Sequence, residues 1–424
     1  MKIYLVGGAV RDKLLGKEPD DRDYVVVGSS PEDMVSLGFT QVGKDFPVFL
    51  HPETKEEYAL ARVERKVGIG YTGFEADWKG VTLEQDLKRR DLTINAMAQD
   101  LETGEIIDLF GGKEDLENKV LRHVSPAFSE DPLRVFRVAR FHAEYGFTIA
   151  SDTYSLMLKL YNELKTVPKE RVWREMEKAL SSKNPSLFFY ILTRHLNIFK
   201  VYAQMFGTPQ NPVHHPEGNV GIHTNLVMDF AASKRFSPEV IFSCFCHDFG
   251  KPLCRRRDGT ANGHENEGVS LVEDFCEEFR VPNSYKKLAL AVTKHHGRIH
   301  SVLGRDGNSI CKPKTVWKIL KECGGLDHDP TFFYNVLDAC HADSAGRGKT
   351  SGEREAFQEA PYHQRLFLNK CMIAAKAVDT KSVAANAIAK GRKGPQIGEA
   401  VRCEQIKAIR EVLNNHKRGS DGKT

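Results

Sequence analysis

The chain has 424 residues, of which 41% are hydrophobic, and its 61 lysines and arginines against 57 aspartates and glutamates give a formal charge of +4. This length predicts about three domains with cores of ordinary size, and it excludes disorder as the main state of the chain. No apolar run approaches the ~18 residues that a bilayer span requires, which argues against a membrane protein.

The N-terminal run IYLVGGAV leads directly into Arg11 and Asp12. It lacks the length and the cleavage flank of a signal peptide, so we interpret it as a buried strand. All nine cysteines lie between Cys244 and Cys403, and none is part of a CxxC pair. An odd number of cysteines without a secretion signal predicts reduced thiols and a cytoplasmic location.

Positive charge is concentrated near the C-terminus. Residues 362–424 contain 13 lysines and arginines against five acidic residues, a local charge of +8, so the first 361 residues carry −4. Such a segment is either a solvated tail without a partner or a surface that contacts a phosphate backbone, and its charge alone leaves both interpretations open.

Hydrophobic spacing divides the chain into a mixed α/β part and a helical part. Up to about residue 110 it predicts a helix in AVRDKLLG and strands in IYLVGG, DYVVVG, FPVFLH, EEYALARV and INAMAQD, with a basic loop around Gly68, Gly70 and Gly73. From about 112 to 210 the spacing is helical, and TPQNPVHHPEGN (208–219) is predicted to be a linker. A helical, histidine-rich block (220–345), the loop GRGKTSGE and a basic helical tail follow.

Two short motifs near the N-terminus could act on phosphates. Gly7 and Gly8 stand between a strand and a helix, where backbone amides could approach a phosphate, although a tight structural turn is the simpler explanation. Asp21 and Asp23 lead into an apolar run. If both lie on a strand, they share one face about 6.6 Å apart and could bind one Mg²⁺ or a closely spaced pair, as in two-metal phosphoryl transfer. The alternative is a polar turn.

Two arginine-rich segments follow. Lys88, Arg89 and Arg90 precede an apolar element and could contact a triphosphate, or they could be a solvated charge run. Further along, Pro132 suits the first turn of a helix with Asp131 as its N-cap. Three arginines at successive i+3 steps of that helix form a stripe opposite its apolar face, and these are Arg134, Arg137 and Arg140. An ordinary amphipathic helix would show the same pattern.

In this order the motifs resemble those of the class II tRNA nucleotidyltransferases, the CCA-adding enzymes of the DNA polymerase beta superfamily. The resemblance covers roughly residues 1–185 and runs through LVGGAVRDKLLG, DRDYVVVG, RRDLTINAMA, DLFGG, EDPLRVFRVARF and ERVWREMEKAL. It implies that Asp21 and Asp23 bind catalytic Mg²⁺. It also implies that the incoming ATP or CTP is contacted by Gly8, Arg11, Arg90, Arg137 and Arg140, and that its base is read by Asp131 and Arg134, ordered by Glu130.

The implied base recognition is consistent with the hydrogen-bonding groups involved. Cytosine and adenine each present an amine donor beside a ring-nitrogen acceptor, whereas uracil and guanine present a carbonyl acceptor beside an N–H donor. Aspartate only accepts and arginine only donates. An Asp131–Arg134 pair would therefore match C and A, and U or G would leave buried polar groups unpaired at about 1–3 kcal/mol each.

A second group of residues suggests a metal site in the helical half. His247 and Asp248 are adjacent in CFCHDFGK, with His223 upstream and Asp343 downstream. Histidine and carboxylate ligands of this kind bind divalent metals. The ordered set resembles the HD-superfamily metal-dependent phosphohydrolases over about residues 220–345. The resemblance implies these four residues as ligands of a divalent transition metal, with Ni²⁺ as one candidate. It leaves His264, His296 and His341 unassigned.

Together these features predict an α/β plus α protein with a polymerase-beta-like head (1–140), a helical neck (141–210), a helical HD domain (220–345) and a basic helical tail (346–424). The resemblance implies CCA addition to tRNA from CTP and ATP, with 2′,3′-cyclic phosphodiesterase, 2′-nucleotidase and phosphatase activity in the HD domain. The predicted chain is a monomer or homodimer, and the basic tail is the candidate tRNA contact. The alternatives are a bacterial poly(A) polymerase and an HD phosphohydrolase whose transferase half is a degenerate tRNA-binding module.

Overall fold

A computed structural model describes residues 1–42, 48–66, 74–304 and 311–421. Packing divides the chain into an N-terminal unit, Met1–Ala179 with Leu187–Leu196, and a C-terminal unit, Leu180–Ser186 with Asn197–Thr424. The finer boundaries predicted at 140, 210 and 345 remain predictions. The predicted glycine-rich loop around Gly68, Gly70 and Gly73 lies outside the described residues.

The N-terminal unit is built on a seven-stranded sheet with the order β3-β4-β5-β2-β1-β8-β9. Its strands are β1 Lys2–Val6, β2 Asp23–Val27, β3 Thr40–Val42, β4 Val48–Leu50, β5 Glu57–Leu60, β8 Met97–Asp100 and β9 Ile106–Asp108. Two smaller pairs are β6 Val63–Lys66 with β7 Phe74–Asp77, and β10 Val120–Leu121 with β11 Thr148–Ile149. In the large sheet only β2 and β5 pair in parallel.

The register of the central strands determines which residues meet at one edge of the sheet. Val6, the last residue of β1, pairs with Asp23, the first residue of β2, and Asp23 pairs in turn with Glu57 at the start of β5. Most apolar residues of the central strands are buried, including Val6 of β1, Val25 of β2 and Ala98 of β8. Burial of the strand interiors therefore leaves their polar ends, Asp23 and Glu57, at the edge beside the Gly7 turn.

Helices cover the rest of the N-terminal unit. They are α1 Gly8–Leu14, α2 Pro31–Ser36, α3 Leu83–Lys88, α4 Gly112–Glu117, α5 Leu133–Tyr145, α6 Ser151–Lys159, α7 Lys169–Leu180 and α8 Pro185–Arg194. Local sequence signals explain several of their starts. Ser30 and Thr82 each form a capping box, in which the side chain accepts from a backbone N–H three residues later.

The described part of the C-terminal unit is predominantly helical. Its helices are α9 Lys200–Phe206, α10 Val220–Ser233, α11 Pro238–Cys246, α12 Lys251–Asp258, α13 His264–Glu278, α14 Asn283–His300, α15 Pro313–Glu322, α16 Thr331–Ala345, α17 Ser351–Glu359, α18 His363–Lys376, α19 Thr380–Ala389 and α20 Pro395–Asp421. Buried aromatic rings, among them Phe242, Phe245 and Phe275, fill the centre between α11 and α13. The predicted helical tail is confirmed, and Phe367 and Ile409 are buried where α18 packs on α20.

The predicted strands and helical blocks are confirmed in outline, with two corrections. The strand predicted in INAMAQD begins only at Met97, because Thr93–Asn95 forms a 3-10 turn. The loop predicted in GRGKTSGE is shorter than expected, because Thr350 caps α17 and the helix begins at Ser351. The predicted linker 208–219 contains neither helix nor strand, yet its Glu217 is buried.

All nine cysteines are free, and seven of them are buried. The seven buried cysteines pack as small apolar side chains. Within the described parts of the chain, every helix is too short or too polar to span a bilayer.

Candidate active sites

The two predicted catalytic carboxylates meet at the polar edge of the sheet. Asp23 is the first residue of β2, but Asp21 lies before the strand, so the prediction that both occupy it is wrong for Asp21. Both still line one surface cavity, which they share with Asp20, Glu56 and Glu57. Partial burial raises the pKa of Asp23, Arg90 opposes the shift, and Asp21 adds to it. A cavity lined with carboxylate oxygens suits a hard cation such as Mg²⁺.

The Gly7 turn allows Arg90 to approach this edge. Gly7 has a φ of +70°, and a Cβ at that position would lie 2.9 Å from Nη1 of Arg90. The backbone conformation therefore favours glycine, and a side chain at this position would displace the end of Arg90. Arg90 is held there by Asp86, a fully buried carboxylate 3.2 Å from its Nη2. Arg90 is thus fixed between the glycine turn and the acidic cavity, where a triphosphate would need a cation.

A chain of hydrogen bonds joins Arg11 to Arg137, two of the predicted nucleotide-binding arginines. Arg11 donates from Nη1 to Oδ1 of Asn95 over 2.6 Å. Asn95 donates to Oδ1 of Asp91 over 3.2 Å, and Arg137 donates from Nε to Oδ2 of Asp91 over 2.7 Å. Asp91 and Asn95 were not predicted as site residues, although both lie in the RRDLTIN motif. The structure shows that they orient arginines from two different helices.

Glu175 orients Arg140 in a similar way. Arg140 donates from Nε to Glu175 over 2.7 Å and from Nη1 to Glu144 over 2.8 Å. Nη1 of Arg137 lies 3.9 Å from the same Glu175. Glu175 is buried on α7, within the motif ERVWREMEKAL. Because each guanidinium has five N–H donors in a planar fork, pairing with a buried carboxylate fixes its plane for bidentate recognition of a phosphate.

Asp131 and Arg134 lie at the start of α5. The helix begins at Leu133 with Pro132 as its N-cap, so the prediction of Asp131 as the N-cap residue is wrong by one position. The Asp131 carboxylate still accepts the N–H of Leu133 over 3.0 Å and pairs with Arg171 over 3.0 Å. Arg134 is buried and donates from Nη1 to the carbonyl of Ala127 over 2.7 Å. Base reading by Asp131 and Arg134 stays a prediction.

Replacing Asp91 by asparagine is expected to destabilise the protein by about 2 kcal/mol at pH 7. Breaking a fully buried ion pair costs about 3–5 kcal/mol, and the cost is smaller here because the Arg137 side chain is 35% exposed. Burial alone would raise the pKa of Asp91, but Arg137 and Asn95 hold that pKa well below its usual range. The pKa of an aspartate in the unfolded protein is near 4, so the ionised Asp91 stabilises the fold above about pH 4. The difference in the free energy of unfolding between the Asp91→Asn protein and the parent protein should therefore shrink as the pH falls below about 4.

Urea unfolding between pH 3.5 and pH 7 measures this difference. The exposed Glu117→Gln substitution on α4 is a matched control that removes one carboxylate and should change the free energy of unfolding by less than about 0.5 kcal/mol. Equal stabilities of the Asp91→Asn and Glu117→Gln proteins at pH 7 would show that the Asp91–Arg137 pair does not stabilise the fold.

In the C-terminal unit the four predicted HD residues converge from α10, the end of α11 and α16. Nε2 of His223 lies 3.0 Å from Oδ1 of Asp343, and Nε2 of His247 lies 3.2 Å from Asp248 and 3.9 Å from Asp343. All four side chains are buried. Ligand atoms of His223, His247 and Asp248 lie within 4.8 Å of one another, a spacing that one metal ion could occupy.

The hydrogen bonds of the two imidazoles show which of their nitrogen atoms could act as metal ligands. Nδ1 of His247 lies 2.6 Å from the carbonyl of Cys244, and Nδ1 of His223 lies 3.0 Å from the carbonyl of Gly346. A carbonyl only accepts, so each Nδ1 carries the proton and each Nε2 presents a lone pair to the carboxylates. Among the described residues, Nε2 of His247 has no hydrogen-bond partner. These donor atoms fit a divalent metal with histidine and carboxylate ligands.

Further residues around the cluster were not predicted, among them Glu217, His215 and His300. Glu217, in the predicted linker, has Oε1 3.0 Å from Nδ1 of His223 and 2.9 Å from Nδ1 of His215. His300 on α14 has Nε2 2.8 Å from Oδ2 of Asp343. No sequence signal marks a lone glutamate in a Pro- and Gly-containing segment as a partner of a distant histidine. His341 stacks on Tyr362, with ring centroids 5.5 Å apart, and is not one of the clustered ligands.

Glu217→Gln is expected to weaken metal binding in the C-terminal unit by about 10- to 100-fold, because a carboxylate behind a metal-binding histidine fixes its tautomer and raises its basicity. Burial opposes ionisation of Glu217, but hydrogen bonds from His215 and His223 hold its pKa well below the usual range. Glutamine keeps the shape and loses the charge.

The affinity of the metal-free protein for Ni²⁺ or Mn²⁺, measured by calorimetry, tests this role. The exposed Glu277→Gln substitution on α13 serves as the control and should leave the affinity unchanged. Parent-like binding by the Glu217→Gln protein would exclude Glu217 as a positioning residue.

The fold is that of a nucleotidyltransferase with a polymerase-beta-like head and a predominantly helical remainder. A family model described as "Poly A polymerase head domain" matches residues 3–122, and one described as "Probable RNA and SrmB- binding site of polymerase A" matches residues 146–202. The chain is also similar in fold to a crystal structure of the Bacillus stearothermophilus CCA-adding enzyme in complex with CTP. That match has a TM-score of 0.64 and 23% identity, and it covers 97% of this chain and 89% of the other.

Relatives that match over the full length specify the family. The chain is 44% identical to the multifunctional CCA protein of Shewanella frigidimarina, covering 98% of each chain. It is 42% identical to that of Nitrosococcus oceani, covering 98% of this chain and 100% of the relative. The chain belongs to the family of multifunctional CCA proteins. This confirms the resemblance to CCA-adding enzymes and disfavours the poly(A) polymerase alternative, with which the head-domain match alone would be compatible.

Proposed function

We propose that this protein adds and repairs the 3′-terminal CCA of tRNA from CTP and ATP without a nucleic-acid template. The observation that carries the proposal is the arrangement at one edge of the sheet, where Asp21 and Asp23 line a cavity next to the Gly7 turn and Arg90. The name of the relatives that match over the full length, multifunctional CCA protein, supports the same reaction. An acidic pair beside fixed cations is what transfer of a nucleotidyl group to a hydroxyl requires.

In this mechanism each group of residues has a separate task. Asp21 and Asp23 would hold Mg²⁺, which supplies charge neutralisation for the attacking hydroxyl and the leaving pyrophosphate. Arg90, Arg137 and Arg140 would bind the triphosphate, each oriented by a buried carboxylate. The tRNA 3′-hydroxyl attacks the α-phosphate, the new phosphodiester forms, and pyrophosphate leaves. The buried carboxylates keep the arginines in place before the nucleotide arrives, so less reorganisation is needed at the reaction step.

The assay that tests this function uses tRNA ending before CCA, incubated with CTP alone, with ATP alone and with both. We expect two C residues with CTP and a complete CCA end with both nucleotides. ATP tailing without incorporation of CTP would instead indicate a poly(A) polymerase. No incorporation of either nucleotide would favour the alternative in which only the C-terminal unit is an enzyme.

We further propose that the C-terminal unit is a metal-dependent phosphohydrolase acting as a 2′,3′-cyclic phosphodiesterase, 2′-nucleotidase and phosphatase. The converging His223, His247, Asp248 and Asp343 support this function, as does the family name. A Ni²⁺ preference agrees with histidine-rich ligands, which favour transition metals over Mg²⁺. Comparing hydrolysis of 2′,3′-cyclic AMP by metal-free protein supplied with Ni²⁺ or Mg²⁺ tests it, and equal rates would contradict the preference.

We also propose that the basic tail (362–424) binds the tRNA backbone. Because α18 and α20 also pack on α15, which lies outside the tail, deleting the tail would expose buried apolar residues of α15, and charge reversal is the better test. The triple substitution of the exposed Lys390, Arg392 and Lys393 by glutamate is expected to weaken tRNA binding by 10-fold or more and to lower its salt dependence, since each lost phosphate contact reduces the slope of log K against log salt by about 0.7–0.9.

A filter-binding titration at 50, 100 and 200 mM salt measures both quantities. Reversal of the exposed Lys287 on α14, outside the tail, is the control for a general change in charge. If both proteins bind tRNA with the parent affinity and slope, the tail does not contact the backbone.

The predicted cytoplasmic location and the monomer or homodimer state belong to the same proposal. The nine free cysteines support a reducing compartment. Sedimentation equilibrium of the full chain would distinguish a monomer from a homodimer, and a larger assembly would contradict both predictions.

A further inference from the structure

Two buried hydrogen-bond donors beside the histidine and aspartate cluster of the C-terminal unit lack an acceptor. One is Nε of Arg347, four residues after Asp343, and the other is Nε2 of Gln210, in the segment 208–219. Neither atom has a hydrogen-bond partner in the described parts of the chain. A buried N–H without an acceptor costs free energy, so these two donors point to a ligand that supplies acceptor atoms.

The terminal nitrogens of Arg347 are only weakly paired. Nη1 donates to the carbonyl of His214 over 3.5 Å, which is long for a hydrogen bond. Nη2 lies 3.9 Å from Oδ1 of Asp343, a distance that gives an ion pair without a hydrogen bond. The side chain is 23% exposed. The guanidinium therefore lies between the buried cluster and solvent, with the fork of Nε and Nη2 available to two oxygens of one anion.

The backbone on both sides of Arg347 holds it at the cluster. The carbonyl of Gly346 lies 3.0 Å from Nδ1 of His223, and the N–H of Gly348 donates to Oε2 of Glu217 over 3.1 Å. Gly348 has a φ of +110°, and a Cβ there would lie 2.7 Å from a backbone nitrogen of α17. Since this turn requires glycine, the position of Arg347 beside the cluster is fixed by the main chain.

Gln210 is held close to the same cluster through Lys251. Its Oε1 accepts from Nζ of Lys251 over 2.9 Å, and the same Nζ lies 2.6 Å from Oδ2 of Asp248. Because an ammonium group only donates, the amide oxygen faces Lys251 and the amide nitrogen remains as a donor. Burial lowers the pKa of His215 to about 4, and the nearby charges of Lys251 and Arg347 contribute to the shift. Gln210, by way of Lys251, and Arg347 thus approach one ring.

We propose that Arg347 and Gln210 bind the phosphoryl group of the substrate beside the four clustered ligands. The inference rests on the phosphohydrolase function proposed above and deepens it. Arg347 donates from Nε and Nη2 to two non-bridging oxygens, and Gln210 donates from Nε2 to one. An ionised phosphoester offers only acceptor oxygens on its phosphoryl group, which matches a set of donors. The alternative is that Arg347 only balances the charge of Asp343.

Steady-state hydrolysis of 2′,3′-cyclic AMP by the full-length protein at saturating Ni²⁺ tests the proposal, with inorganic phosphate as a competitive inhibitor. We expect Arg347→Gln to raise the KM of the substrate and the Ki of phosphate together by about 10- to 100-fold, because a charge-assisted bidentate contact is lost. Arg347→Lys keeps the charge without the planar fork, so its constants should lie between those of the parent and of Arg347→Gln.

Gln210→Glu tests the second donor. Glutamate keeps an acceptor for Lys251 but replaces the N–H donor by a charged oxygen. It should therefore also raise both constants by about 10-fold or more. Lys349→Gln is the matched control, because it removes a positive charge from an exposed side chain two residues after Arg347 and should leave both constants within about 2-fold of the parent.

The affinity of the metal-free proteins for Ni²⁺, measured by calorimetry, separates phosphate binding from support of the metal ligands. We expect Arg347→Gln to bind Ni²⁺ at least as tightly as the parent, since the lost positive charge repels a cation. Near-UV circular dichroism shows which variants are folded, and a folded Arg347→Lys or Gln210→Glu protein suffices for the test.

Parent-like KM and Ki in the folded variants, whether Ni²⁺ binding is unchanged or weakened, would overturn the phosphate site and leave the phosphohydrolase proposal standing. A parent protein that binds no metal and does not hydrolyse 2′,3′-cyclic AMP would overturn both proposals.

Discussion

Asp23→Asn is expected to abolish addition of both C and A to tRNA while hydrolysis of 2′,3′-cyclic AMP by the same protein is unchanged. Asparagine keeps the shape of the side chain but removes the negative charge that would hold Mg²⁺ at the start of β2. Losing several kcal/mol of transition-state stabilisation corresponds to a fall of about 10³-fold or more in the rate of nucleotide addition. Asp21→Asn should behave in the same way, because Asp21 and Asp23 line one cavity.

The measurement is single-turnover incorporation of labelled CTP and ATP into tRNA ending before CCA. Glu18→Gln is a matched control, since it removes a carboxylate from a side chain that is 95% exposed in the same loop. It should add nucleotides at the parent rate. Persistent addition by both aspartate variants would overturn the assignment of the catalytic pair, whatever the C-terminal unit does.

His247→Asn is expected to give the opposite result, with loss of phosphohydrolase activity and normal CCA addition. Asparagine could still donate a hydrogen bond toward the carbonyl of Cys244, which His247 contacts through Nδ1, but it cannot present the Nε2 ligand. The expected fall in hydrolysis is about 10³-fold, because a metal ligand is lost from a fully buried site. CCA addition should stay within about 2-fold of the parent, since its proposed residues lie in the N-terminal unit.

The rate of 2′,3′-cyclic AMP hydrolysis and the rate of CCA addition to tRNA are measured on one preparation of the protein. His341→Asn provides the comparison, because its ring stacks on Tyr362 and is not among the clustered ligands. Parent-like hydrolysis by the His247→Asn protein would remove His247 from the metal site. Equal loss of both activities with an unchanged near-UV circular dichroism spectrum would contradict the proposal that CCA addition and hydrolysis use separate active sites. A changed spectrum would show that the variant is misfolded.

Local features of the N-terminal half were predictable because they depend on neighbouring residues. The apolar run before Gly7 forms β1, the run after Asp23 forms β2, and the arginine stripe of α5 follows from its spacing. The prediction failed for Asp21, which lies outside β2. Alternation of side chains along a strand says nothing about where hydrogen bonding to the next strand begins, and that point depends on the pairing of β2 with β1 and β5.

The cluster of histidines and aspartates in the C-terminal unit was also predictable only in part. The ordered residues His223, His247, Asp248 and Asp343 suggested a metal site, but the order could not show that Glu217 supports His223 or that His264 and His296 face Asp248. Those contacts arise because α10, α11, α13, α14 and α16 pack around one point. From its sequence alone, the segment 208–219 is predicted only to be a linker.

The fold class, the family and the candidate chemical groups could be predicted from the sequence, because motifs and hydrophobic spacing are local properties of the chain. Which of these groups support one another became visible in the folded protein. Arg11 and Asn95 are 84 residues apart, and Asp91 and Arg137 are 46 apart, yet each pair forms a hydrogen bond. Such a pairing depends on the register of strands and the packing of helices. No sequence pattern therefore links a buried carboxylate to the arginine that it contacts.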